Sequence, residues 1–477
     1  ASASATTTTT SNARDYDTGF SSSADPASNA YRKKHAMKLD SDVDFAPFQT
    51  FDVVRQHLPH ALLDVACKGF TVPTPIQAQA WPVLCQQRDV IGIAETGSGK
   101  TLAFMLPAVA RLGRKASERQ RGDSPRILVV APTRELAMQS AAVAATLPDL
   151  RSLCVYGGVP KYTQKKALRN GIDLLVATPG RLLDLATENN ICGPNGNMLG
   201  AVDFVCLDEA DRMLDQGFEK DMRRIMALVG KSSKDGGVRQ TALFSATWPE
   251  SIRKLAREFL VNPVRVTIGS DDLTANVRVT QIVEVVEQYE KERLLLPLLN
   301  KYHGSRKNRV LVFALYKKEA SRLESMLRGK GWNCCAIHGD KTQEARTSAL
   351  AGFKDGSVPL LIATDVAARG LDIPNVEAVI NVSFPLTIED YIHRIGRTGR
   401  AGKSGVSHTF FTTNDKARSG ELINVLHQAK MDVPKELMKF GTTVKKKPHK
   451  TYGDFGPKKD LIGLTATKRT FDDSDSD

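Results

Sequence analysis

The sequence predicts an α/β protein with two domains in tandem, each built on a parallel sheet and facing the other across a cleft. Short apolar runs alternate with helical segments along most of the chain, which is typical of βαβ units. A polar, glycine-containing break at residues 269–272 divides this alternation into two halves. Nearly every polar motif directly follows an apolar run. Because ligands of open α/β sheets bind off the carboxyl ends of the strands, these motifs are expected to line the cleft.

The apolar runs define the expected strands of both domains. In the first half these runs are residues 90–93, 127–130, 174–177, 204–207 and 241–244. In the second half they are residues 282–286, 310–313, 334–337, 360–363, 378–382 and 406–411. We therefore place the first domain at residues 45–268, a linker at residues 269–280 and the second domain at residues 281–435.

Both ends of the chain differ in composition from this middle part. Residues 1–44 are rich in Ala, Ser, Thr and Asp and have almost no aliphatic side chains, so we expect them to be disordered. Residues 436–477 contain a lysine run at 445–447 and end in aspartates, which indicates a basic and then acidic tail. The composition leaves open whether this tail binds RNA or a partner, or is a solvated segment.

The charge balance indicates a polyanionic partner. The chain of 477 residues has a net charge of +13. Residues 1–44 contribute −1 and residues 441–477 contribute +2, so the middle of the chain carries +12. A basic surface on the globular part of a protein is the pattern expected for binding nucleic acid.

The cysteines and the hydropathy exclude several other classes. Seven cysteines are scattered without a CxxC pair, which argues against a zinc site or a disulfide framework. We expect buried thiols in a reducing compartment. No apolar run reaches the ~20 residues of a membrane span, and no secretory signal is visible, so we expect no contact with a membrane.

Residues 94–101 form a predicted phosphate-binding loop between a strand and a helix. Gly97 and Gly99 would let backbone N–H groups turn toward phosphate oxygens at the positive end of the helix. Lys100 would bind the β- and γ-phosphates, and Thr101 would give its hydroxyl to Mg²⁺. The alternative is an ordinary glycine-rich turn. The predicted strand before the loop and the predicted helix after it argue against this alternative.

Asp208 and Glu209 follow the apolar run 204–207 directly. Carboxylates at the end of a buried strand are costly unless they hold a cation or water. Asp208 is the candidate partner of Mg²⁺, mainly through water, and Glu209 is the candidate for orienting and deprotonating the attacking water. The alternative for such a pair is a favourable charge at a helix N-terminus.

Two further segments carry candidate nucleotide contacts. Gln77 offers one donor and one acceptor, which matches the N6/N7 edge of adenine and not that of guanine. Residues 393–400 contain three arginines, which could spread charge from the γ-phosphoryl oxygens when the domains close. The alternatives are an unremarkable glutamine at a helix start and a solvated basic loop or nuclear-import patch.

Taken together, these motifs resemble those of the DEAD-box ATP-dependent RNA helicases, in order, over residues ~50–412. They are Gln77 with Phe51 upstream, 94–101, 132–137, 157–158, 178–181, 208–211, 245–247, Phe313, Gln343 with Arg346, 363–372 and 393–400. The resemblance implies two RecA-like domains, an RNA-stimulated ATPase and helicase activity, and ATP with Mg²⁺ as cofactors.

The resemblance also implies a role for each matching residue. ATP binding is implied for Phe51, Gln77, Thr96, Gly97, Ser98, Gly99, Lys100, Thr101 and Asp372. Catalysis is implied for Lys100, Asp208, Glu209, Arg397 and Arg400, with Mg²⁺ held by Thr101 and Asp208. Coupling of hydrolysis to strand separation is implied for Asp211, Ser245, Thr247 and His393. Binding of the RNA backbone is implied for Thr133, Arg134, Gly158, Arg181, Arg346 and Thr364.

Some stretches resemble one subgroup of the family. Residues 155–161, 273–286, 313–320 and 439–442 are similar to nucleolar DEAD-box helicases of fungi and plants that process pre-rRNA for the large ribosomal subunit. This resemblance implies a monomer in the nucleus and nucleolus, with the cytoplasm as the alternative location. It also implies pre-rRNA, bound without sequence specificity, and pre-ribosomal proteins as partners. An ATP-dependent RNA clamp without unwinding, or a DNA-directed motor, would carry the same motifs.

Overall fold

The computed structural model describes eight stretches of the chain that together hold two α/β domains. These stretches are residues 25–113, 120–188, 191–192, 197–229, 239–269, 278–365, 376–399 and 403–442. They form one eight-stranded and one six-stranded sheet, which confirms the predicted fold class. Within this described part of the chain, no helix is both long enough and apolar enough to cross a bilayer.

The first domain is built on the eight-stranded sheet, in the order β1-β8-β2-β7-β6-β3-β5-β4. Its strands are β1 Met37–Asp40, β2 Val90–Ile93, β3 Ile127–Val130, β4 Ser152–Val155, β5 Leu174–Ala177, β6 Phe204–Leu207, β7 Gln240–Ser245 and β8 Val264–Ile268. Its helices are α1 Pro26–Lys34, α2 Phe51–Arg55, α3 His60–Ala66, α4 Pro75–Cys85, α5 Lys100–Ala110, α6 Arg134–Ala144, α7 Lys161–Leu168, α8 Pro179–Ala186, α9 Ala210–Asp215, α10 Glu219–Val229 and α11 Glu250–Phe259. All paired strands run parallel except β1, which is antiparallel to β8.

The second domain is built on the six-stranded parallel sheet, in the order β11-β12-β10-β13-β14-β9. Its strands are β9 Val279–Val285, β10 Arg309–Ala314, β11 Cys334–Ile337, β12 Leu360–Thr364, β13 Val376–Asn381 and β14 Gly405–Phe411. Its helices are α12 Lys291–Tyr302, α13 Lys317–Gly329, α14 Gln343–Asp355, α15 Ile388–Ile395, α16 Ser419–Gln428 and α17 Lys435–Met438, with a 3₁₀ helix at Thr413–Arg418.

Helices on both faces of each sheet explain why the strands read as continuous apolar runs. In the first domain, one face of the sheet packs Trp81 of α4 and Phe104 of α5 into a single core. The opposite face packs side chains of α8, α10 and α11. Strands buried on both faces lose the alternation that marks a half-exposed strand. This arrangement leaves the loops at the carboxyl edges of the strands free to carry polar side chains.

The segment before residue 45 corrects one expectation. Residues 25–44, predicted to be disordered with the rest of 1–44, form helix α1 and edge strand β1. Arg32 is 4% exposed and donates to the Gln79 side chain and the Phe45 carbonyl, while its guanidinium lies 2.7 Å from Asp44. Met37 and Leu39 alternate inward, a two-residue period that the polar composition of the segment hides. Residues 1–24 lie outside the described residues.

The end of the second domain also lies further along than predicted. Leu437 of α17 is fully buried, and the Phe440 ring lies 5.8 Å from that of Phe411. The Ser419 hydroxyl donates to the Gly441 carbonyl at 2.8 Å. Residues 436–442 therefore belong to the folded domain and not to the tail, while residues 443–477 lie outside the described part. Most of the predicted linker, residues 270–277, is also outside it, and β9 begins within the remainder.

Candidate functional site

The loop between β2 and α5 has the backbone that phosphate binding requires. Gly97 and Gly99 have φ of 81° and 95°, a region that residues with a Cβ rarely adopt. Helix α5 begins at Lys100, directly after this turn, so its unpaired N–H groups face the loop. Lys100 is buried and its ammonium donates to the Ala94 carbonyl at 2.8 Å, folded back over the loop. The Ser98 hydroxyl is buried and has no hydrogen-bond partner among the described residues.

Gln77, the predicted adenine-binding residue, lies against this loop. Its side-chain oxygen accepts from the Thr74 N–H at 3.0 Å, and its amide donates to the Gly99 carbonyl at 3.1 Å. A Cβ on Gly99 would lie 2.6 Å from the Gln77 amide nitrogen. Both hydrogen-bonding ends of Gln77 are therefore engaged by the protein, and the side chain supports the phosphate loop directly.

Phe51, the predicted adenine-stacking residue, is the first residue of α2. Its ring lies 6.4 Å from that of Trp81 in α4. A small cavity of about 130 Å³ lies beside it, lined also by Phe70 and Lys68. Phe70 is 57% exposed, so an apolar surface is available at this cavity.

Asp208 and Glu209 sit at the carboxyl end of β6, in the centre of the sheet. Asp208 is 4% exposed, and its Oδ1 has no hydrogen-bond partner in the described part of the chain. Burial, followed by the neighbouring charge of Glu209, raises the pKa of Asp208 to about 7, while Lys100 opposes the shift. Glu209 has φ of 52°, and its carboxylate lies 2.7 Å from the guanidinium of buried Arg212. The strained backbone and the ion pair fix the direction of the Glu209 side chain.

This constellation fits a hydrated divalent cation. A buried carboxylate oxygen without a partner, Asp208 Oδ1, is the kind of ligand that Mg²⁺ prefers, often through water. Thr101, in the first turn of α5, and Lys100 belong to the adjoining phosphate loop. The residues present can therefore hold a phosphate-bound Mg²⁺ between them.

Asp211 joins two motifs that are far apart in sequence. Its Oδ2 accepts from the N–H groups of Ala246 and Thr247 at 3.2 and 3.1 Å and from the Thr247 hydroxyl at 3.0 Å. The Ser245 carbonyl in turn accepts from the Ala94 N–H at the start of the phosphate loop, at 3.1 Å. Asp211, Thr247 and Ser245, which have an implied coupling role, thus belong to one buried network next to the nucleotide loop.

The arginines of residues 393–400 have different environments. Arg397 is 2% exposed, and its Nη2 lies 3.4 Å from the Thr96 hydroxyl of the phosphate loop, across the two domains. Its Nε donates to the carbonyl of His393, a predicted coupling residue. Arg394 instead points into its own domain and makes a bidentate pair with Asp365 at 2.6 Å. Arg400 and Asp372, both predicted site residues, lie outside the described residues.

Three of the four predicted RNA-binding residues of the first domain, Thr133, Arg134 and Arg181, line one cleft of about 490 Å³, and the fourth, Gly158, follows the lining residue Gly157. The cleft is lined by Pro132, Thr133, Arg134, Glu135, Gly157, Thr178, Gly180, Arg181, Asp184, Gln216, Phe218 and Arg346. Gly158 has φ of 86°, and a Cβ there would lie 2.5 Å from the Arg134 guanidinium. Arg181 donates to the Val159 carbonyl at 3.2 Å. The carboxyl ends of β3, β4 and β5 therefore gather donors at one edge of the sheet.

The second domain contributes to the same cleft through α14. Arg346 lies 2.6 Å from Glu135, and Gln343 accepts from Arg134 at 3.3 Å. Thr364, the last residue of β12, is buried at the carboxyl edge of the second sheet. Glu135 is a site residue that the sequence analysis passed over. Glu135 lies between Arg134 and Arg346, two predicted RNA-binding arginines that belong to different domains. This position depends on how the domains pack, so sequence spacing does not predict it.

Family models match both domains. The model described as DEAD/DEAH box helicase matches residues 74–255, and the one described as helicase conserved C-terminal domain matches residues 290–402. Among solved structures, Mss116p bound to ssRNA and AMP-PNP is 28% identical with a TM-score of 0.70, covering 86% of this chain and 85% of that one. Dbp5 of S. cerevisiae bound to RNA and ADP BeF3 is 27% identical with a TM-score of 0.66, covering 83% and 94%.

Similarity to curated proteins over most of both chains gives the same result. The DEAD-box ATP-dependent RNA helicase 5 of Oryza sativa is 51% identical over 445 residues, covering 92% of this chain and 84% of the relative. The ATP-dependent RNA helicase DBP3 of Saccharomyces cerevisiae is 50% identical over 450 residues, covering 93% and 82%. These relatives match across both sheets and the loops that carry the site. The chain therefore belongs to the DEAD-box ATP-dependent RNA helicases, and it is an RNA-stimulated ATPase.

Proposed function

We propose that this helicase closes its two domains on RNA when it binds ATP with Mg²⁺, locally separates short RNA duplexes in the closed state, and releases the RNA when it hydrolyses the ATP. The observation that carries the proposal is the contact of Arg397 in the second domain with Thr96 in the phosphate loop of the first, at 3.4 Å. A nucleotide bound at that loop would lie between the two domains. Closure on the nucleotide would then bring together the RNA-side residues of both domains.

The nucleotide would be held by backbone and side chains of the first domain. The turn at Gly97 and Gly99 would surround the phosphates with N–H groups, with Ser98 and Lys100 beside them. Lys100 would exchange its contact with the Ala94 carbonyl for the phosphates. Adenine would stack at Phe51 and pair with Gln77, whose amide has a second N–H and a second oxygen lone pair besides those that contact Gly99 and Thr74. In the second domain, Asp372 would hold the ribose.

Glu209 would orient and deprotonate the attacking water. The left-handed backbone at Glu209 and its ion pair with Arg212 hold the carboxylate in one direction before the substrate arrives. Mg²⁺, held by Asp208 and Thr101 partly through water, supplies charge neutralisation to the phosphates when bound. Arg397 and Arg400 would stabilise the charge that spreads over the γ-phosphoryl oxygens, and such arginines accelerate hydrolysis by roughly 10³–10⁵-fold.

RNA would be gripped through its backbone in the cleft. Arginine guanidinium groups, the Thr133 and Thr364 hydroxyls and the N–H of Gly158 bind phosphate and sugar but do not read base edges. We therefore expect weak dependence on RNA sequence and a preference for RNA through the 2′-OH. The Asp211 network, which touches both Thr247 and the strand leading to the phosphate loop, would link loss of the γ-phosphate to release of the RNA.

The variant Glu209→Gln tests the hydrolytic role. It should leave ATP and RNA affinity within a few-fold of wild type and slow RNA-stimulated turnover by at least about 10²-fold, because the general base is lost. The readouts are phosphate release and equilibrium binding of both ligands. Glu250→Gln, the same change on a side chain that is 60% exposed, is the matched control. Turnover at the wild-type rate in Glu209→Gln would refute the role.

Two alternatives use the same residues and are separated by simple assays. A clamp that nucleates a particle would show RNA-stimulated ATPase without displacing the strand of a short duplex. A DNA-directed motor would be stimulated as well by DNA as by RNA of equal length and sequence. The helicase proposal requires displacement, and stimulation that favours RNA.

We further propose that the RNA is pre-rRNA, processed in the nucleolus with pre-ribosomal proteins as partners and with the helicase acting as a monomer. This proposal rests on the resemblance of residues 155–161 and 313–320 to nucleolar family members and on the similarity to the helicase DBP3 of yeast. Crosslinking the protein to RNA in cells and sequencing the RNA tests it. Enrichment of large-subunit precursor sequences is expected, and enrichment of mRNA instead would contradict it.

A further inference from the structure

A cavity of about 790 Å³ opens on the carboxyl edge of the second sheet and shares no lining residue with the cleft that contains Arg346. It is formed by the loops that follow β9, β10, β13 and β14, with the first turns of α12 and α13 at its walls. None of the proposed steps of ATP hydrolysis uses its residues.

Four cationic side chains line this cavity, and two of them have no carboxylate within salt-bridge distance in the part of the chain that the structure describes. Lys317 and Arg322 are each paired with an acidic side chain outside the lining. Lys318 is exposed, and Lys291 is 5% exposed, with its ammonium 3.4 Å from the Ser383 hydroxyl. Lys291 and Lys318 therefore offer positive charge to an anion that enters the cavity.

The carboxylates of the cavity are held by neighbouring loops. Glu319 accepts from the Leu315 N–H at 2.8 Å and from the Ser383 hydroxyl at 2.6 Å. Asp415 accepts from the N–H and the hydroxyl of Thr412 at 2.9 and 2.7 Å. These hydrogen bonds occupy lone pairs that would otherwise pair with the lysines, so the cavity favours an acidic occupant.

The rim of the cavity is apolar. Tyr316 is 63% exposed and Leu386 is 61% exposed, so two large side chains that could be covered face solvent. Exposed apolar surface that borders polar groups is typical of an interaction site. A matching occupant would carry an apolar side chain next to a run of acidic ones.

The chain itself contains such a segment beyond the folded second domain. Residues 471–477 begin with Phe471 and continue with four aspartates, at positions 472, 473, 475 and 477. The rest of residues 443–477 contains only two further acidic residues, Asp454 and Asp460. The acidic charge of this part of the chain is therefore concentrated directly after one aromatic residue.

The folded domain ends close to the cavity. The Ser419 hydroxyl donates to the Gly441 carbonyl at 2.8 Å, and the 3₁₀ helix Thr413–Arg418 leads from Ser419 back to Asp415 in the cavity wall. With a rise of about 2 Å per residue, Asp415 and Ser419 lie roughly 8 Å apart along this helix. The segment that leaves the domain after Gly441 therefore starts near the wall of the cavity.

The intervening chain is long enough to return to the cavity. Residues 443–470 separate the folded domain from Phe471. A random coil of that length spans roughly 30 Å on average. A tether of this kind gives the segment at its end an effective concentration of the order of 1 mM, so even a weak contact would be populated.

We propose that residues 471–477 dock in this cavity and mask its positive charge. The aspartates would contact the ammonium groups of Lys291 and Lys318, and Phe471 would cover the apolar rim. By masking cations on the second domain, the docked segment would weaken the attraction of the enzyme for RNA. Such docking needs neither nucleotide nor the separation of a duplex.

Zero-length crosslinking of the full chain tests the contact. A carbodiimide joins a carboxylate to an amine only where the two touch, and the joined residues are identified by mass spectrometry. At a protein concentration of about 1 µM, far below the effective concentration of the tethered segment, contacts within one chain dominate. The aspartates of residues 471–477 should join to Lys318 several-fold more than to Lys330, which is exposed at the other end of α13.

A matched pair of variants tests whether charge directs this contact. Lys318→Ala should lower the crosslinking of the neighbouring Lys317, which still carries its amine, and Lys330→Ala should not. About 1 M salt should abolish the preference, because it screens charges beyond about 3 Å. Equal crosslinking of Lys318 and Lys330, or crosslinks only to lysines within residues 443–477, would overturn the proposal.

RNA-stimulated ATPase activity tests the masking. Replacing the four aspartates by asparagine should lower the RNA concentration for half-maximal stimulation several-fold and leave the maximal rate unchanged, because these residues take no part in hydrolysis. The control is Asp454→Asn with Asp460→Asn, which removes acidic charge from the same part of the chain outside the docking segment. No decrease in that concentration, or an equal decrease in the control, would contradict the masking.

Strand displacement separates this inference from the proposed function. A wild-type chain that shows the crosslinks but displaces no strand from a short duplex would contradict the proposed function and support the docking. A chain that displaces strands but lacks the preference for Lys318 would contradict the docking alone.

Discussion

Burial of the Asp208 carboxylate lowers the stability of the folded state, although the proposed site requires this carboxylate. The carboxyl group of Asp208 is buried beside Glu209 and Asp211, and its pKa rises to about 7 for that reason. In the unfolded chain the pKa returns to its ordinary value near 4. The proton therefore favours the folded state, and the stabilisation, complete below about pH 4, is lost as the pH rises toward 7. Below about pH 7 a metal ion must displace this proton to bind.

The variant Asp208→Asn should consequently be more stable than wild type in the absence of nucleotide. At pH 8 its free energy of unfolding should exceed the wild-type value by roughly 2–4 kcal/mol, because each unit of pKa shift corresponds to about 1.4 kcal/mol. The difference should vanish near pH 4, and ATPase activity should be lost. Urea unfolding at both pH values measures it, with exposed Asp52→Asn as the control. If Asp208→Asn changed the free energy of unfolding by the same amount at both pH values, the burial argument would be contradicted.

At the level of single residues, the sequence predicts features that depend on the local segment. It does not predict contacts with residues that are distant in sequence. Lys100 follows the glycine turn because the loop pattern itself dictates the start of the helix. The contact of Gln77 with Thr74 is a capping box, which the Thr-x-x-Gln spacing encodes. Its contact with Gly99 depends on how two separate segments pack, which sequence spacing does not encode. The same holds for Arg394, which the basic pattern groups with Arg397 although Asp365 holds it inside its own domain.

At the scale of elements, helix α1 is attached to the first domain through one buried side chain, in addition to the pairing of β1 with β8. Arg32 bridges Gln79, Phe45 and Asp44, so it ties α1 to helix α4. The same helix carries Gln77, which supports the phosphate loop. Helix α1 and the phosphate loop therefore both contact helix α4.

Replacing Arg32 with Met should loosen or unfold the α1–β1 segment. Removing one partner of a buried ion pair leaves Asp44 uncompensated and typically costs about 3–5 kcal/mol. Arg55→Met is the matched control, since Arg55 and Asp64 form an exposed pair that contributes at most about 1 kcal/mol. Urea unfolding measures both. A loss in Arg32→Met no greater than in Arg55→Met would show that α1 is not held by this contact.

Strands were predictable where a continuous apolar run marks them, and β8 was missed although it is mostly buried, because Arg265 and Thr267 interrupt its apolar residues. The fully buried runs 90–93, 127–130, 174–177 and 204–207 coincide with strands β2, β3, β5 and β6. Strand β4 was missed because three of its four residues are only partly buried, so it lacks a continuous apolar run. Strand β1 was missed because its two inward residues are surrounded by charge, and only pairing with β8 makes it a strand.

At the scale of the whole molecule, the two sheets present their carboxyl edges to shared sites. Arg346 in α14 is paired with Glu135 at the RNA-side cleft, where a phosphate would compete for the same guanidinium. Alternation of strands and helices predicts two such domains, since each βαβ unit is encoded locally. The contacts between them were not predictable, because they depend on side chains more than two hundred positions apart.

Arg346→Ala should therefore weaken RNA binding through charge. The slope of log affinity against log salt should fall in magnitude by about 0.7–1, since one phosphate contact is lost. The loss should be similar for RNAs of different sequence, because the contact is to the backbone. Fluorescence anisotropy across a salt series measures it, with Arg293→Ala, on a side chain 72% exposed, as the control. An unchanged slope would remove Arg346 from the RNA site.

The most direct measurement concerns Arg397, because the account depends on a site completed by the second domain. Single-turnover ATP hydrolysis at saturating RNA should fall by roughly 10³-fold or more in Arg397→Ala, since the arginine acts on the transition state. ATP affinity without RNA should stay within a few-fold of wild type, and Arg224→Ala, at an exposed position in the first domain, should hydrolyse normally. Hydrolysis by Arg397→Ala at a rate close to wild type would contradict a catalytic site shared between the domains.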